Sequence, residues 1–224
     1  MISKNSLFLH EEIMLLALRD KEGTTAGGTK YKYAIGGAIL AELLLDGRIA
    51  VEKSKKKLVN LVSSKQVGEP VIDECLARIA NTKRRASMKT WVTRFAGLKK
   101  LNHRVAEQLC SRGILQADED KVLLIFTRKI YPQVNPQPER QLIERLRKAI
   151  FTEATSLDPR TIVLVSLANG SDLLKLTFNK KQLKGRKKRI EKIQNGEMAG
   201  KATKEAIEAA EAAAMVVIMI TTCS

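Results

Sequence analysis

The stretch that decides the fold lies near the start of the chain, where residues 7–23 read Leu7-Phe8-Leu9-His10-Glu11-Glu12-Ile13-Met14-Leu15-Leu16-Ala17-Leu18-Arg19-Asp20-Lys21-Glu22-Gly23. Apolar residues recur at helical spacing from 7 to 18, which predicts a helix. Glu11 and Glu12 point about 100° apart on that helix and cannot both face one substrate. We interpret them as charges that favour the helix N-terminus, and we expect His10 on the helix surface or partly buried.

Helical patterns separated by short turns continue along the chain. A Gly/Thr-rich loop at 23–30 precedes an apolar helix at about 33–45, which Asp46-Gly47 ends because glycine tolerates the left-handed backbone after a last turn. Further helices are predicted at about 70–81, 87–96 and 100–112. After Pro138 the pattern is helical almost to the end, with turns near 156–159, 169–172, 179–182 and 195–200. Asp158-Pro159 is predicted to be a helix N-cap followed by the first helical residue.

Two regions have the pattern of β-structure. The runs 48–52 and 58–62 are joined by the basic turn Lys53-Ser54-Lys55-Lys56-Lys57, which predicts a hairpin with a charged tip. A β-branched run follows at 121–130, before a proline-rich loop at 132–138. The expected fold class is therefore mainly α, a single globular domain with two β-hairpins.

The length and net charge of the chain indicate one globular domain and an anionic binding partner. The 224 residues and 44% hydrophobic content suit one globular domain over the whole chain, 1–224, in which we expect 1–5 to be flexible. Forty Lys and Arg against 24 Asp and Glu give a formal charge of +16, which attracts phosphate-rich partners such as nucleic acid or an anionic lipid surface. General solubility is the alternative explanation. The densest basic segment, 180–189, is interpreted first as a solvated helix face and second as a lipid or RNA patch.

Three cysteines, Cys75, Cys110 and Cys223, are odd in number and widely spaced, which favours a reducing compartment. The N-terminus lacks the pattern of a secretory signal. The apolar run 212–220 is about half of the roughly 20 residues that a membrane span needs, so we expect a buried terminal helix there.

The sequence offers no pattern of known catalytic chemistry. It contains no Cys or His pair at metal-ligand spacing, no phosphate-binding loop ending in Lys-Ser or Lys-Thr, and no Gly-x-Ser-x-Gly. We therefore expect no metal, no cofactor and no enzymatic activity.

An ordered set of motifs resembles the Golgi phosphoprotein 3 family over nearly the whole chain. The set comprises the Glu-Glu opening helix, Arg19-Asp20-Lys21-Glu22-Gly23, the helix ending in Gly47-Arg48, Ile72-Asp73-Glu74-Cys75-Leu76, the Arg104 helix ending in Gly113-Ile114-Leu115, and Leu167-Ala168-Asn169-Gly170-Ser171-Asp172. The resemblance implies a central helical bundle surrounded by amphipathic helices and hairpins. It also implies a non-enzymatic peripheral membrane adaptor that binds phosphatidylinositol 4-phosphate and retains Golgi glycosyltransferases through their cytosolic tails. Self-association through a hairpin at about 118–131 is a further implication.

The family's headgroup residues are only partly kept. The family holds the headgroup with a Trp and an Arg near the second helix, and with two basic residues three apart before the helix at 101–112. The Trp position falls at about Gly27-Gly28 and the Arg position at about Gly36. Of the later pair, the first corresponds to Lys99 and the second to Asn102.

Other basic residues could still form a phosphate site. The candidate headgroup-binding residues are Lys30 and Lys32, just before the second helix, with Lys99, Lys100 and Arg104 at the start of another. His103 lies in the same cluster, and Tyr31 and Tyr33 could replace the missing Trp at the membrane interface. A solvated basic rim is the alternative interpretation.

A winged-helix nucleic-acid binder is the runner-up, because each hairpin follows a helix and 53–57 could serve as a wing. The helix at 33–45 is too apolar to lie in a groove, which counts against it. The expected location is the cytosolic face of the Golgi in a eukaryotic host, and the cytoplasm or inner membrane surface in a bacterium.

Overall fold

The computed structural model describes residues 6–18, 23–26, 30–122 and 126–198. Predictions for 1–5, Gly27-Gly28, 212–220 and Cys223 lie outside these ranges. The elements are α1 (Leu9–Ala17), α2 (Lys30–Leu45), β1 (Ile49–Val51), β2 (Val59–Leu61), α3 (Pro70–Ala80), α4 (Met88–Ala96), α5 (Leu101–Ser111), β3 (Asp118–Val122), β4 (Phe126–Ile130), α6 (Gln137–Phe151), α7 (Pro159–Gly170), α8 (Leu174–Thr177), α9 (Lys180–Gly185) and α10 (Lys187–Gln194). The mainly α prediction is confirmed.

Helix α2 forms the centre of the bundle. From Ala34 to Leu45 its residues are apolar apart from Glu42, and a helix segment without a polar stripe must be buried all round. Helices α1, α4 and α7 pack against it. The helix begins at Lys30, about three residues before the predicted start, and ends at Leu45 before Gly47, whose φ of +64° is the left-handed conformation expected there.

Helices α2 and α4 run in opposite directions and pack unusually closely. The start of α4 lies beside the first hairpin, where the Val59 N–H donates to the Ala86 carbonyl at 2.9 Å. Its last two turns reach Gly36, near the start of α2, where an added Cβ would lie 2.7 Å from the Val92 carbonyl oxygen. Only glycine fits this contact without displacing backbone.

Both predicted hairpins are present as antiparallel pairs. In the first, Ile49, Ala50 and Val51 pair with Leu61, Asn60 and Val59. In the second, β3 begins at Asp118, which pairs with Ile130. The β-branched run at 121–130 is thus divided between two strands, because its first residues belong to β3 and its last five to β4.

The two glutamates of α1 are buried, whereas residues at a solvated helix N-terminus are exposed. Glu11 accepts the Phe8 N–H at 2.8 Å, as expected near a helix start, but it also pairs with Arg112 at 2.9 Å. Glu12 pairs with Arg145 at 2.7 Å. Burial raises the pKa of both carboxyl groups, against the lowering effect of His10 on Glu11 and of Arg145 on Glu12. The N-terminal interpretation was therefore incomplete.

The prediction that His10 lies on the surface or is partly buried is wrong. Its side chain is 0% exposed and stacks on Phe8 with 5.8 Å between ring centroids. His10 Nε2 lies 3.7 Å from Glu69 Oε1, within ion-pair range and beyond hydrogen-bond length. Burial would lower the pKa of His10, but Glu69, Glu11 and Glu42 together raise it.

The turns of the C-terminal half are partly as predicted. Asp158 caps α7 by accepting the Thr161 N–H at 3.0 Å, and Pro159 opens the helix, as expected. The turn predicted near 179–182 lies slightly earlier, at Phe178 and Asn179, where α8 ends and Asn179 caps α9. A second helix break, at Arg186 between α9 and α10, was not predicted. No helix in the described part of the chain is long and apolar enough to cross a bilayer.

Candidate anion-binding site

The candidate site lies at the end of the bundle where α2 begins. We call it the basic pole and define it as Lys32 of α2, Lys99 and Lys100 before α5, His103 of α5 and Lys129 of β4. Lys129, Lys100 and Lys32 lie near enough to His103 to act on its titration. Lysines from α2, from the start of α5 and from β4 therefore all lie near His103.

His103 stands at the centre of the basic pole. Its Nδ1 lies 3.0 Å from the Tyr131 hydroxyl, and Tyr131 is otherwise buried. The pKa of His103 is lowered by partial burial first and then by Lys129, Lys100 and Lys32, against the raising effect of Glu107. Burial raises the pKa of Tyr131 to about 12, so its hydroxyl stays protonated at neutral pH. Partial burial is thus the largest cause of the lowered pKa of His103, and the three lysines add to it.

Lys99 and Lys100 form the exposed rim of the pole. Lys100 is the N-cap residue of α5 and has left-handed backbone with φ of +54°. Its side chain makes no capping hydrogen bond. Within the described ranges, neither these two lysines nor Lys32 has an ion-pair partner. The N-terminus of α5 adds its partial positive charge to theirs.

Two of the five predicted residues are neutralised by the protein itself. Lys30 Nζ lies 2.7 Å from Asp172 Oδ2, and Arg104 Nη2 lies 2.6 Å from Glu74 Oε2. The pKa of Glu74 is lowered despite some burial, because Arg104 and Arg78 both bind its carboxylate. The structure thus brings Lys32, Lys99 and Lys100 together as unpaired charges and places Lys30 and Arg104 at the flanks as paired ones.

Comparison with known proteins identifies the family of the chain. The sequence model of Golgi phosphoprotein 3 (GPP34) matches residues 9–210. The chain belongs to the Golgi phosphoprotein 3 family. It is similar to vacuolar protein sorting-associated protein 74 of Schizosaccharomyces pombe, with 26% identity over 172 residues, which cover 68% of this chain and 50% of the relative. The chain therefore spans about half the length of this curated relative.

This Golgi phosphoprotein 3 family member has no room for an arginine at Gly36. The backbone of α4 lies where such a side chain would begin, so the missing Arg reflects close helix packing. Tyr31 is only 3% exposed, so the prediction that it could serve as an interface residue is wrong. Tyr33 is half-buried against the core. The pole of this family member is therefore built mainly from lysines.

Sequence reasoning missed Lys129. It lies in the second hairpin, and the strand pairing of β4 returns it to the side of α5, where its Nζ is 3.4 Å from Glu107 Oε1. No local motif marks this residue, because its role depends on how the hairpin packs.

Another lysine cluster of this family member lies at the opposite end of α2. The exposed turn at 53–57 follows β1 at the far end of α2, whose 16 residues span about 24 Å. The molecule therefore carries lysine clusters at both ends of its central helix. A membrane surface that contacts one of these clusters would lie far from the other.

Within the described ranges no group of His, Cys, Asp or Glu side chains could hold a metal ion. Cys75 is buried and Cys110 is half-buried, and both are free thiols. Burial raises the pKa of each thiol, which keeps it in the less reactive protonated form.

Proposed function

We propose that this protein attaches to membranes as a peripheral protein and that its basic pole recognises phosphatidylinositol 4-phosphate or another anionic lipid headgroup. The observation that carries the proposal is the pair of exposed lysines without ion-pair partners in the described ranges, Lys99 and Lys100, at the start of α5. Lys32 and Lys129 lie near enough to His103 of the same helix to act on its titration. Membership of the Golgi phosphoprotein 3 family supports it, since that family includes peripheral Golgi proteins.

Charge provides most of the attraction. Ammonium groups bind phosphate oxygens as point charges, and each Lys held near an anionic surface contributes about 1 kcal/mol. Lys99 and Lys100 meet the phosphate first because both are exposed. Lys30 and Arg104 contribute less than the unpaired lysines, because Asp172 and Glu74 already offset their charges.

His103 couples headgroup binding to protonation. A bound phosphate offsets the repulsion from Lys129, Lys100 and Lys32, so the imidazolium form becomes easier to populate. The protonated ring then adds a further positive donor next to the phosphate. Tyr131 holds the ring in place through the 3.0 Å contact between its hydroxyl and Nδ1.

The proposed cellular role is that of a non-enzymatic adaptor in Golgi vesicle trafficking. Its partners would be the cytosolic tails of glycosyltransferases, and its location the cytosolic face of the Golgi in a host that has one. In a bacterial host the corresponding location is the cytoplasm or the inner membrane surface. The name of the similar fission-yeast protein, a vacuolar protein sorting-associated protein, supports a sorting role. The hairpin β3–β4 is the proposed element for self-association.

Liposome co-sedimentation tests the lipid step. Vesicles containing phosphatidylinositol 4-phosphate are compared with phosphatidylserine vesicles of equal charge, at low and physiological salt. We expect a preference for the phosphoinositide that survives salt. Lys99→Glu/Lys100→Glu should abolish binding, whereas the matched control Lys55→Glu/Lys56→Glu should retain it because those lysines lie at the far end of α2. Equal loss in both variants would show that net charge alone drives binding.

The nucleic-acid alternative has less support in the structure. The helix that precedes the first hairpin is α2, and its burial between α1, α4 and α7 keeps it out of any groove. Filter binding to duplex DNA at low salt is the direct test, and retention there would revive the alternative.

A further inference from the structure

A further basic feature lies between the end of α7 and helices α9 and α10. It is a groove of about 490 Å³ with Lys175, Lys180, Lys184 and Lys187 around Leu183 and Ile190. Asn169 and Gln194 close one wall through a 3.1 Å hydrogen bond to each other, and Glu191 is the acidic residue of the lining. We call this feature the lysine groove.

In the basic segment 180–189 the arginines and the lysines have different roles. The arginines contact α6 and the residues after it, whereas Lys180, Lys184 and Lys187 line the groove. Arg186 donates to the Phe151 carbonyl at 3.0 Å and pairs with Glu153 at 2.6 Å. Arg189 donates to the carbonyls of Ala149 and Ala154 at 2.8 and 2.9 Å. These arginines hold α9 and α10 against the C-terminal end of α6, where carbonyl groups lack helical partners.

The lysines that line the groove outnumber the carboxylates near them. Lys180 and Lys184 have no ion pair within the described ranges. Lys187 lies 3.8 Å from Glu191, and Lys175 binds Asp172, which Lys30 also binds. Two carboxylates thus face four lysines of the groove and Lys30, so the local charge stays positive. An anion is the ligand that this arrangement favours.

We infer that the lysine groove is a second anion site, which takes a small phosphorylated ligand such as an inositol phosphate. Its volume lies in the range of about 300–1,000 Å³ that small-ligand pockets occupy. The lysines supply the phosphate contacts, and Leu183 and Ile190 supply an apolar floor for the face of the ring. The same chemistry would accept a free inositol phosphate or the headgroup of a phosphoinositide.

The lysine groove adjoins the basic pole. Asp172 lies 2.7 Å from Lys30 at the start of α2 and also binds Lys175 at the edge of the groove. Two anion sites on the same end of the molecule would let one protein hold two headgroups, which raises the overall affinity without any new contact.

The test uses the full chain and inositol 1,4-bisphosphate, the soluble headgroup of phosphatidylinositol 4-phosphate. Calorimetry should give two sites per chain. Lys180→Glu/Lys184→Glu should remove one of them. The matched control, Lys181→Glu/Lys188→Glu, makes the same charge change on exposed residues of the same helices that do not line the groove, and should keep both sites.

Vesicle binding then distinguishes the two sources of the ligand. If the groove holds a lipid headgroup, Lys180→Glu/Lys184→Glu should weaken binding to phosphatidylinositol 4-phosphate vesicles by about tenfold or more. If it holds a free inositol phosphate, vesicle binding stays and only one of the two sites for the soluble ligand is lost. Unchanged soluble binding in this variant, or equal loss in the matched control, would overturn the inference. Failure of the basic pole is seen separately, as calorimetry in which Lys99→Glu/Lys100→Glu keeps both sites.

Discussion

Glu42 of α2 and Arg160 of α7 form an ion pair that also fastens the start of α1. Arg160 Nη1 binds Glu42 Oε1, and its Nη2 donates to the Leu7 carbonyl at 2.9 Å. The other carboxylate oxygen of Glu42 accepts the Leu9 N–H at 2.9 Å. Leu9 is the first residue of α1, so its N–H has no partner within the helix. One buried pair therefore joins three helices.

Removing the carboxylate charge of this pair should be costly. In Glu42→Gln the guanidinium of Arg160 loses its buried counter-charge, and we expect a loss of about 3 kcal/mol in the free energy of unfolding. Urea denaturation measures it. The control Glu107→Gln removes an exposed partner of Lys129 and should cost less than about 1 kcal/mol. Similar losses in both variants would mean that burial of the pair contributes nothing.

A methyl group at Gly36 should separate α2 from α4. Gly36→Ala places a Cβ 2.7 Å from the Val92 carbonyl oxygen, and we expect overpacking to lower the free energy of unfolding by about 1–3 kcal/mol. The control is Gly97→Ala, where the nearest atom is the Thr93 carbonyl oxygen at 3.4 Å. A thermal melt in which Gly36→Ala is as stable as the control would contradict the close packing of the two helices.

The buried pair His10–Glu69 should make stability depend on pH. The pKa of His10 is raised in the folded state, so its contribution is present below the unfolded value of 6.5 and is lost as pH rises through the folded value. The pKa of Glu69 is lowered to about 2, despite burial, by His10 and by hydrogen bonds from Ile72 and Gln108. Its contribution is present above 4.5 and is lost as pH falls towards 2.

Denaturation midpoints at several pH values check this dependence. We expect the protein to lose stability as pH rises above 6.5, and His10→Gln to lose less over the same interval because it has no proton to release. A variant whose profile parallels that of the unmodified protein would show that His10 does not titrate with folding.

His103 should report on binding at the basic pole. Its pKa is lowered in the free protein, first by burial and then by Lys129, Lys100 and Lys32. We expect inositol 1,4-bisphosphate to raise that pKa, because the bound anion offsets the lysines. Headgroup affinity should therefore increase as pH falls from the bound towards the free pKa. An NMR titration follows the ring directly, since the chain has two histidines and His10 is fully buried.

Substitution of the charged neighbours of His103 shows whether each one raises or lowers its pKa. Lys100→Gln should raise the pKa of His103, and Glu107→Gln should lower it further, because Glu107 is the neighbouring group that raises it. If the ligand leaves the pKa of His103 unchanged while it binds, the phosphate lies away from the basic pole.

Local patterns in the sequence determined the helices and their ends. The apolar spacing at 7–18 and 33–45, the left-handed Gly47 and the Asp158 cap each depend on residues a few positions apart, so they could be predicted without the tertiary structure. The ordered motifs also gave the family. Lys99 and Lys100 could be named as candidates because they lie next to a predicted helix start, and their role in headgroup binding stays a prediction.

Only the tertiary structure decided which charges are free to bind a ligand. The sequence does not distinguish Lys30 and Arg104 from Lys99 and Lys100, because the acidic partners of the first two are distant along the chain. Lys30 and Asp172 are 142 positions apart. Lys129 joins the site through strand pairing, and His10 is buried by contacts with another helix start. Charge pairing and burial depend on neighbours in space, which periodicity and local propensity do not encode.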